Sequence, residues 1–388
     1  MNLYKVKDKP LQIKVLHIFN SLRFSGAEIM YTSAASLFQQ KGCKLYALAT
    51  TQELGDFAPM FQKAGFDIMH LPIPPLNKLF KRLLFYKKLI NLLKKEKINI
   101  VHIHSHAAMW NFALCSRFAK VRSIYTFHNV FTSRPIMYPY HFLKRWSAKK
   151  VFKCTFQTIS ETVYLHELNF FHNKTIKVYN WYDKKKFFPA SLNEKLETRK
   201  SLKISEDAFV LISIGGCSSI KRHSDIIQAL PTILQIIPQC IYLHLGSGET
   251  ENDEKKLAEK LGILDKVHFL GNQSNIRSYL VASDVYLITS KFEGISITTI
   301  EAMACRIPSV LYNVPGLKDF NIHEENSILI EPDFNLIPDQ IVHMMNDSKS
   351  KQEMILRAEK FVNQNNDMSK NVEKIFDLYL KNSSYTYD

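Results

Sequence analysis

"SKFEGISITTIEAMACRIP", residues 290–308, sets Glu293 and Glu301 eight positions apart among small and apolar residues. Spacing alone decides nothing, because the chain holds 20 glutamates and Glu251 with Glu259 repeats the interval. The surroundings are more informative. A β-rich run, "DVYLITS" (284–290), precedes the pair, Gly294 follows its first member, and "SITTIEAMA" reads as a helix opening near Ser296. A strand, a glycine-containing loop and a helix start together make a phosphate- or anion-binding corner. The plain alternative is a helix N-terminus that merely favours negative charge.

Working outward, the same rhythm recurs along the chain. "AFVLISIGG" (208–216), "CIYLHLGSG" (240–248), "KVHFLGN" (266–272) and "SVLYNV" (309–314) read as further strands with helical segments between them. The first half alternates likewise: "IKVLHIF" (13–19), "KLYALAT" (44–50), "INIVHIHS" (98–105), "SIYTFH" (123–128) and "CTFQTIS" (154–160). "AEIMYTSAASLFQQKG" (27–42) is helical with a glycine stop. Near-continuous apolar strands separated by helices imply parallel β-α-β units covered on both faces. The expected fold class is therefore α/β, two doubly wound Rossmann-like domains facing a central cleft. The boundary falls in "NWYDKKKFFPA" (180–190), giving domains 1–185 and 186–365, with 366–388 a C-terminal helix packing back on the first. Such sheets place ligands at the C-terminal ends of their strands.

A chain of 388 residues with 46% hydrophobic and 12% aromatic content can bury two cores. No apolar run reaches the roughly 18 residues that span a bilayer. The N-terminal "MNLYKVKDKPLQIKVLHIF" has charges within its apolar part and no small-residue cleavage site, unlike a signal peptide. Six dispersed cysteines without a C-x-x-C suit a reducing compartment, so the expected location is cytoplasmic. The net charge of +15 is unevenly spread: residues 1–185 hold 29 Lys+Arg against 9 Asp+Glu, and residues 186–388 hold 22 against 27. The halves are built for different partners.

With these pieces placed, S-K-F-E-G-I-S-I-T-T-I-E-A-M-A-C-R-I-P resembles the signature S-x-x-E-G…E-A-M-A-x-G-x-P of family 4 glycosyltransferases, the glycosyl transferases group 1. "SGAE" (25–28) is similar to the family's G-G-A-E loop, "YTFHN" (125–129) to a strand ending in histidine, and "GGCSSIKRHSDIIQAL" (215–230) to V-G-R-x-x-x-x-K. "TIS" (158–160) and "VYNWYDKKKF" (178–187) also fall in order, and the resemblance spans about residues 13 to 335. It implies a retaining, metal-independent enzyme of the GT-B fold, with a nucleotide-sugar as co-substrate, UDP being the commonest nucleotide, and no further cofactor.

On that resemblance Glu293 lies beside the transferred sugar and Glu301 accepts from both ribose hydroxyls of the donor. The amides of Gly294, Ile295 and Ser296 cradle its diphosphate. Lys221 matches the lysine that compensates the leaving diphosphate, charge that grows as the bond breaks. The family arginine five residues earlier falls at Gly216, after Gly215, so half the cationic clamp is missing; Arg222 is the candidate stand-in. His128 corresponds to the histidine contacting the donor sugar. Ser25 with Glu28 has capping-box spacing, and Gly26 with Ala27 can turn amides towards the ligand. Further departures are Arg306 for glycine, Asp319 for glutamate and Ser327 for glycine.

"HIHSH" (102–106) puts three histidines on one strand face and invites a zinc reading. No carboxylate or cysteine lies near it in sequence and no D-x-D occurs in the chain, so no metal is expected. "NKLFKRLLFYKKLINLLKKEK" (77–97) carries eight Lys/Arg and one Glu, with Leu79, Leu83, Tyr86, Ile90 and Leu93 as its apolar face. "HFLKRWSAKKVFK" (141–153) repeats that composition. Either both are core-packed helices with solvated charges, or they attach the protein to an anionic membrane surface, where a lipid-linked glycan acceptor would be met. The expected activity is sugar transfer to a glycan or polyprenyl-linked acceptor in surface polysaccharide synthesis. Two other readings remain: an inactive sugar-nucleotide-binding module and a nucleotide-sugar epimerase. Nucleic-acid binding finds no recognition motif and is not expected.

Overall fold

The computed structural model describes residues 5–6, 9–10, 12–106, 108–321 and 325–383. The leader question at the N-terminus and the last five residues of the C-terminal helix expectation fall in part outside these. The chain divides into two compact units, residues 1–180 with 368–388, and residues 181–367.

In the first unit a short antiparallel pair, β1 (Lys5–Val6) and β2 (Lys9–Pro10), precedes seven strands. These are β3 (Ile13–Phe19), β4 (Cys43–Ala49), β5 (Asp67–His70), β6 (Ile100–Ile103), β7 (Arg122–Phe127), β8 (Thr155–Thr158) and β9 (Ile176–Lys177). They form one parallel sheet in the order β5-β4-β3-β6-β7-β8-β9. The second unit has β10 (Phe209–Ile214), β11 (Cys240–Leu245), β12 (Val267–Gly271), β13 (Val285–Ile288), β14 (Ser309–Tyr312) and β15 (Ile328–Ile330). Its parallel order is β12-β11-β10-β13-β14-β15. Each sheet reverses its order once, between β3 and β6 and between β10 and β13. The loops leaving the strands there diverge and open a crevice at the strand C-termini.

All residues of β6, β13 and β14 are buried, as strands covered on both faces must be. The edge strands β5, β9 and β15 are only four, two and three residues long, and no periodicity announced them, whereas the five-residue edge strand β12 falls in the run read as KVHFLGN. The helix expected over 27–42 is two helices, Gly26–Ser33 and Ala35–Gln40, broken at Ala34. Just before the break, Thr32 and Ser33 hydroxyls donate back to the carbonyls of Glu28 and Met30, competing with the helical ladder.

The basic helix Leu79–Lys95 corrects the sequence reading of its apolar face. Phe85, Leu89 and Leu93, at i, i+4, i+8, are the buried stripe, whereas Leu79 and Leu83 are 74% and 66% exposed. The first two turns therefore project apolar side chains that the core does not use. In the helix Tyr138–Lys150, Arg145 is not a solvated charge but lies inside, its guanidinium bonded to Glu167 through Nε and Nη2, with the Phe171 ring 3.5 Å away. Asn173 Nδ2 donates to the same carboxylate at 2.7 Å. The C-terminal helix Met368–Asn382 belongs to the first unit, where Lys41 pairs with Glu373 and Tyr379 bonds His102.

Besides Arg222, the N-cap of the helix His223–Ile236 at φ 52°, the described residues include five positions just past helix C-termini where a lysine or arginine takes the left-handed region: Lys97, Lys120, Lys153, Lys203 and Arg306, with φ between 53 and 61°. The family glycine missing at 306 is thus a left-handed position that this chain fills with a side chain. Among the described residues no helix is long and apolar enough to cross a membrane.

Candidate functional site

In the second unit, the loops following β10 and β13 meet at the reversal of strand order. After β10 come Gly215, Gly216 and Cys217, then the helix His223–Ile236. A Cβ at Gly246, beyond β11, would overlap the Gly215 carbonyl, so the two loops pack backbone on backbone. Thr289 Oγ1 donates to the carbonyl of Arg222 at 2.8 Å, and Lys291 N to that of Ile220 at 2.8 Å. These bonds tie the β13 loop to the β10 loop.

That seam brings Lys221 Nζ to 2.5 Å from Glu293 Oε1, which also accepts from Ser290 Oγ at 2.7 Å. Burial alone would lower the Lys221 ammonium, but the adjacent carboxylate more than offsets it and the net shift is upward. Glu293 is set from behind: its N–H donates to the Pro315 carbonyl at 2.9 Å. Gly316 follows at φ +85°, where any Cβ would overlap the Glu293 carbonyl. Neither Ser290 nor Gly316 was singled out from sequence, although "VPGL" carries an ordinary turn signal.

Arg222 does not join this pair. Its Nη2 lies 2.5 Å from Asp225 Oδ2 and its guanidinium faces the Tyr312 ring at 5.3 Å, while Tyr312 donates to the same carboxylate. The proposed stand-in for the absent arginine is committed elsewhere. Gly216 itself would accept a Cβ in ordinary contact with the Ser247 carbonyl.

The helix after the β13 loop is Ile297–Ala304, with Ser296 as its N-cap, the Ser296 hydroxyl accepting from Thr299 N at 3.2 Å. The sequence reading of a helix opening near Ser296 matches this. Among the described residues the amides of Ile295 and Ser296 have no hydrogen-bond partner. Thr298 Oγ1 donates to the Ile214 carbonyl at the end of β10, fixing the helix start to the sheet. Glu301, one turn on, is 7% exposed, and its carboxyl makes no hydrogen bond to any described residue. Burial pushes it up to about 8, with only Lys186 pulling the other way. A buried, unpaired carboxyl is costly to a fold and calls for an occupant that donates to it. Lys186, inside "YDKKKF", was not distinguished in sequence from its neighbouring lysines.

In the first unit, His128 stands just beyond β7 and contacts His104, which stands just beyond β6. The expectation of three histidines on one strand face fails because β6 ends at Ile103. His106 turns away to the Tyr125 hydroxyl at 2.6 Å and stacks on Phe131. Ser25 is an N-cap without a cap bond; its hydroxyl donates to the Glu28 carboxylate instead, so the expected capping box is not made. Gly26 opens that helix.

Among the described residues two clusters have metal-ligand geometry: His17, His102 and His104, and Cys217, His244 and Glu254, each with ligand atoms within 4.8 Å. Both nitrogens of His102 are already bonded, to Tyr379 and Thr126. His244 Nε2 lies 3.0 Å from Glu254 Oε2, whose other oxygen accepts from Thr250. These groups satisfy one another largely without an ion.

Comparison with known proteins agrees with this geometry. The model described as glycosyltransferase family 4 matches residues 24–185, and that described as glycosyl transferases group 1 matches residues 194–361. An N-acetyl-alpha-D-glucosaminyl L-malate synthase of Bacillus anthracis is 28% identical over 290 residues, 71% of this chain and 72% of that protein. A UDP-Gal:alpha-D-GlcNAc-diphosphoundecaprenol alpha-1,3-galactosyltransferase of Escherichia coli is 28% identical over 310 residues, 75% and 78% of the two chains. Among solved structures, Anabaena HepE in complex with UDP and glucose superposes with a TM-score of 0.79 at 19% identity, covering 95% of this chain and 99% of that one. WaaG, a glycosyltransferase involved in lipopolysaccharide biosynthesis, gives 0.71 at 16% identity, covering 95% and 99%. At such identities the structural likeness establishes the fold.

Proposed function

The chain belongs to the family 4, group 1 glycosyltransferases, and from that premise we propose that it moves a sugar from a UDP-sugar, with retained anomeric configuration, to a glycan or lipid-linked acceptor in surface polysaccharide synthesis. The observation that carries the reading is Glu301, a buried carboxyl with no hydrogen-bond partner among the described residues, one turn beyond open amides at a helix start. A ribose diol donates two hydrogen bonds to the first and a diphosphate accepts them from the second. Uridine is favoured by the donor in the name of the Escherichia coli relative and by the ligand in the Anabaena crystals.

The chemistry then falls to Lys221 and Glu293. Lys221 compensates the diphosphate as the sugar–phosphate bond breaks, a charge present in the transition state and absent before it. In the unliganded protein that ammonium rests on Glu293, which keeps both pre-positioned. Donor binding divides the pair, leaving Glu293 to orient the sugar ring. With no protein nucleophile assigned, the departing phosphate takes the acceptor proton on the same face of the sugar, and configuration is retained. Since Lys221 supplies the cation, turnover persists in EDTA.

The purified protein, offered UDP-, GDP- and ADP-sugars with membrane acceptors, tests this, the anomer of the product being read by NMR. Donors that bind without turning over indicate the inactive module, and an isomerised free nucleotide-sugar indicates the epimerase.

Attachment to an anionic membrane is part of the same reading. The helices Leu79–Lys95 and Tyr138–Lys150 both pack against Met109–Phe118, and the segments leading into them leave the C-terminal ends of β5 and β7 in one parallel sheet. Exposed there are Leu76, Leu79, Phe80, Ile136 and Tyr140. Among the described residues Lys78, Lys81, Lys87, Lys88 and Lys144 have no carboxylate partner. Apolar tips among unpaired cations suit anionic lipid, each cation contributing about 1 kcal/mol near the surface. Flotation with phosphatidylglycerol vesicles, lost in a Leu79→Ser/Phe80→Ser variant of unchanged Tm, is the expected result; equal binding to neutral vesicles refutes it.

A further inference from the structure

Three histidines from three neighbouring strands meet where the strand order of the first unit reverses. His17 lies on β3 opposite His102 of β6, while His104 and His128 follow the ends of β6 and β7. Their rings are joined end to end, His17 Nδ1 to His104 Nε2 at 3.0 Å and His104 Nδ1 to His128 Nε2 at 3.0 Å. The rings of His17 and His104 are parallel to within 2°, and Phe19 stacks on His104 with centroids 4.6 Å apart. Packing thus holds the chain in one geometry.

The neighbouring His102 shows that protons here can be placed by bond accounting. Gln157 Nε2 donates to the carbonyls of Thr158 and Val178, so its Oε1 accepts from the Thr126 hydroxyl. The Thr126 oxygen must then receive an N–H from His102 Nε2, and His102 Nδ1 accepts from the Tyr379 hydroxyl. His102 is a neutral imidazole with both nitrogens used.

The same accounting applies to the chain. A neutral histidine carries one N–H, so both links must run in the same direction. Directed towards His17, they would leave an N–H on His17 Nε2, a fully buried atom with no hydrogen-bond partner among the described residues. Orphaned buried N–H groups are rarer than under-satisfied acceptors. Directed towards His128, they leave only a bare lone pair at His17 Nε2, and the final N–H emerges on His128 Nδ1, which no described residue engages. Burial lowers His17 to about 3 and His128 to about 4, and takes His104 well down too, so the chain is uncharged near neutrality.

We propose that His104 and His17 are positioning residues that hold His128 as its Nδ1–H tautomer, so that it donates one fixed hydrogen bond to an oxygen of the sugar being transferred. This rests on the glycosyltransferase reading of His128 and adds to it the direction of the bond and the residues that set it. Fixing the proton in advance removes the need to choose a tautomer when the sugar arrives.

Two-bond ¹H–¹⁵N correlation spectra of the full-length protein, with labelled histidine and no substrate, read the tautomer directly. His128 is expected to show a protonated Nδ1 and a bare Nε2. His104→Phe keeps the stacked ring but deletes the link, and is expected to move His128 towards the Nε2–H form. It should lower kcat/KM for the sugar donor about tenfold, the worth of roughly one hydrogen bond, while the inhibition constant of UDP stays within twofold. His104→Asn, whose amide sits where Nδ1 was, should restore most of both signals. A wild-type His128 carrying its proton on Nε2 overturns the proposal, whether or not the protein transfers sugar. So does a His104→Phe variant with unaltered tautomer, or with altered tautomer and full kcat/KM. Transfer that fails throughout while the tautomer is as stated refutes the reading of His128 and leaves the chain a structural feature.

Discussion

Glu301 holds its proton in the unliganded protein at neutral pH, because burial keeps its carboxyl near 8. A ribose can be gripped by that carboxyl from both hydroxyls only if the proton leaves, so donor binding must release it. Taking the bound value back to the ordinary carboxylate range, release at pH 7 is about 0.9 proton per site, and nucleotide affinity rises about 90-fold from pH 6 to pH 9, roughly 2.7 kcal/mol. The sign also fixes a stability effect: a raised folded-state pKa gives stability that is complete below the unfolded value and is lost as pH rises through about 8. The empty protein should therefore melt lower at pH 9 than at pH 6, and UDP should protect it most at the upper end. Calorimetry in buffers of differing ionisation enthalpy counts the proton, and Glu301→Gln, measured alongside, subtracts the titration of the diphosphate itself. Release below about 0.2 proton at pH 7, or a pH profile unchanged by Glu301→Gln, refutes the reasoning.

Lys221→Ala should lower kcat about 100- to 1,000-fold with a much smaller change in UDP affinity, since the compensated charge develops during reaction; equal losses in both would return Lys221 to simple ligand binding. Gly316→Ala places a Cβ against the Glu293 carbonyl at φ +85° and should cost about 1–3 kcal/mol with a fall in turnover, read by melting and initial rates. Arg145→Ala leaves Glu167 buried without its charge partner and should destabilise by about 3–5 kcal/mol in urea titration, whereas Lys144→Ala, one residue away, should change little.

The two-sheet architecture was legible because its central strands are buried on both faces and read as near-continuous apolar runs. The edge strands β5, β9 and β15 gave no such signal, since half-covered strands of two to four residues have neither alternation nor length. At the site, the glutamate pair and Lys221 were legible because strand, glycine and helix start lie consecutively in sequence. Ser290, Gly316 and Lys186 act through contacts that only folding creates, and Arg222 was misread because Asp225 and Tyr312, which capture it, are set by helix phase and sheet order. Helical periodicity placed Leu79 and Leu83 on the core face, yet a period specifies a stripe without saying how far along the helix the protein covers it.

The basic side chains at left-handed φ in Lys97, Lys120, Lys153, Lys203 and Arg306 mark a route to heat tolerance. Each of these backbones would relax with glycine, by about 1 kcal/mol per position before the entropy of the freer unfolded chain is deducted. Of the 12 glycines in 388 residues, Gly42, Gly65 and Gly262 already stand just past helix C-termini at left-handed φ. A quintuple glycine variant would test whether a hardier catalyst can be made without altering one side chain assigned to the donor.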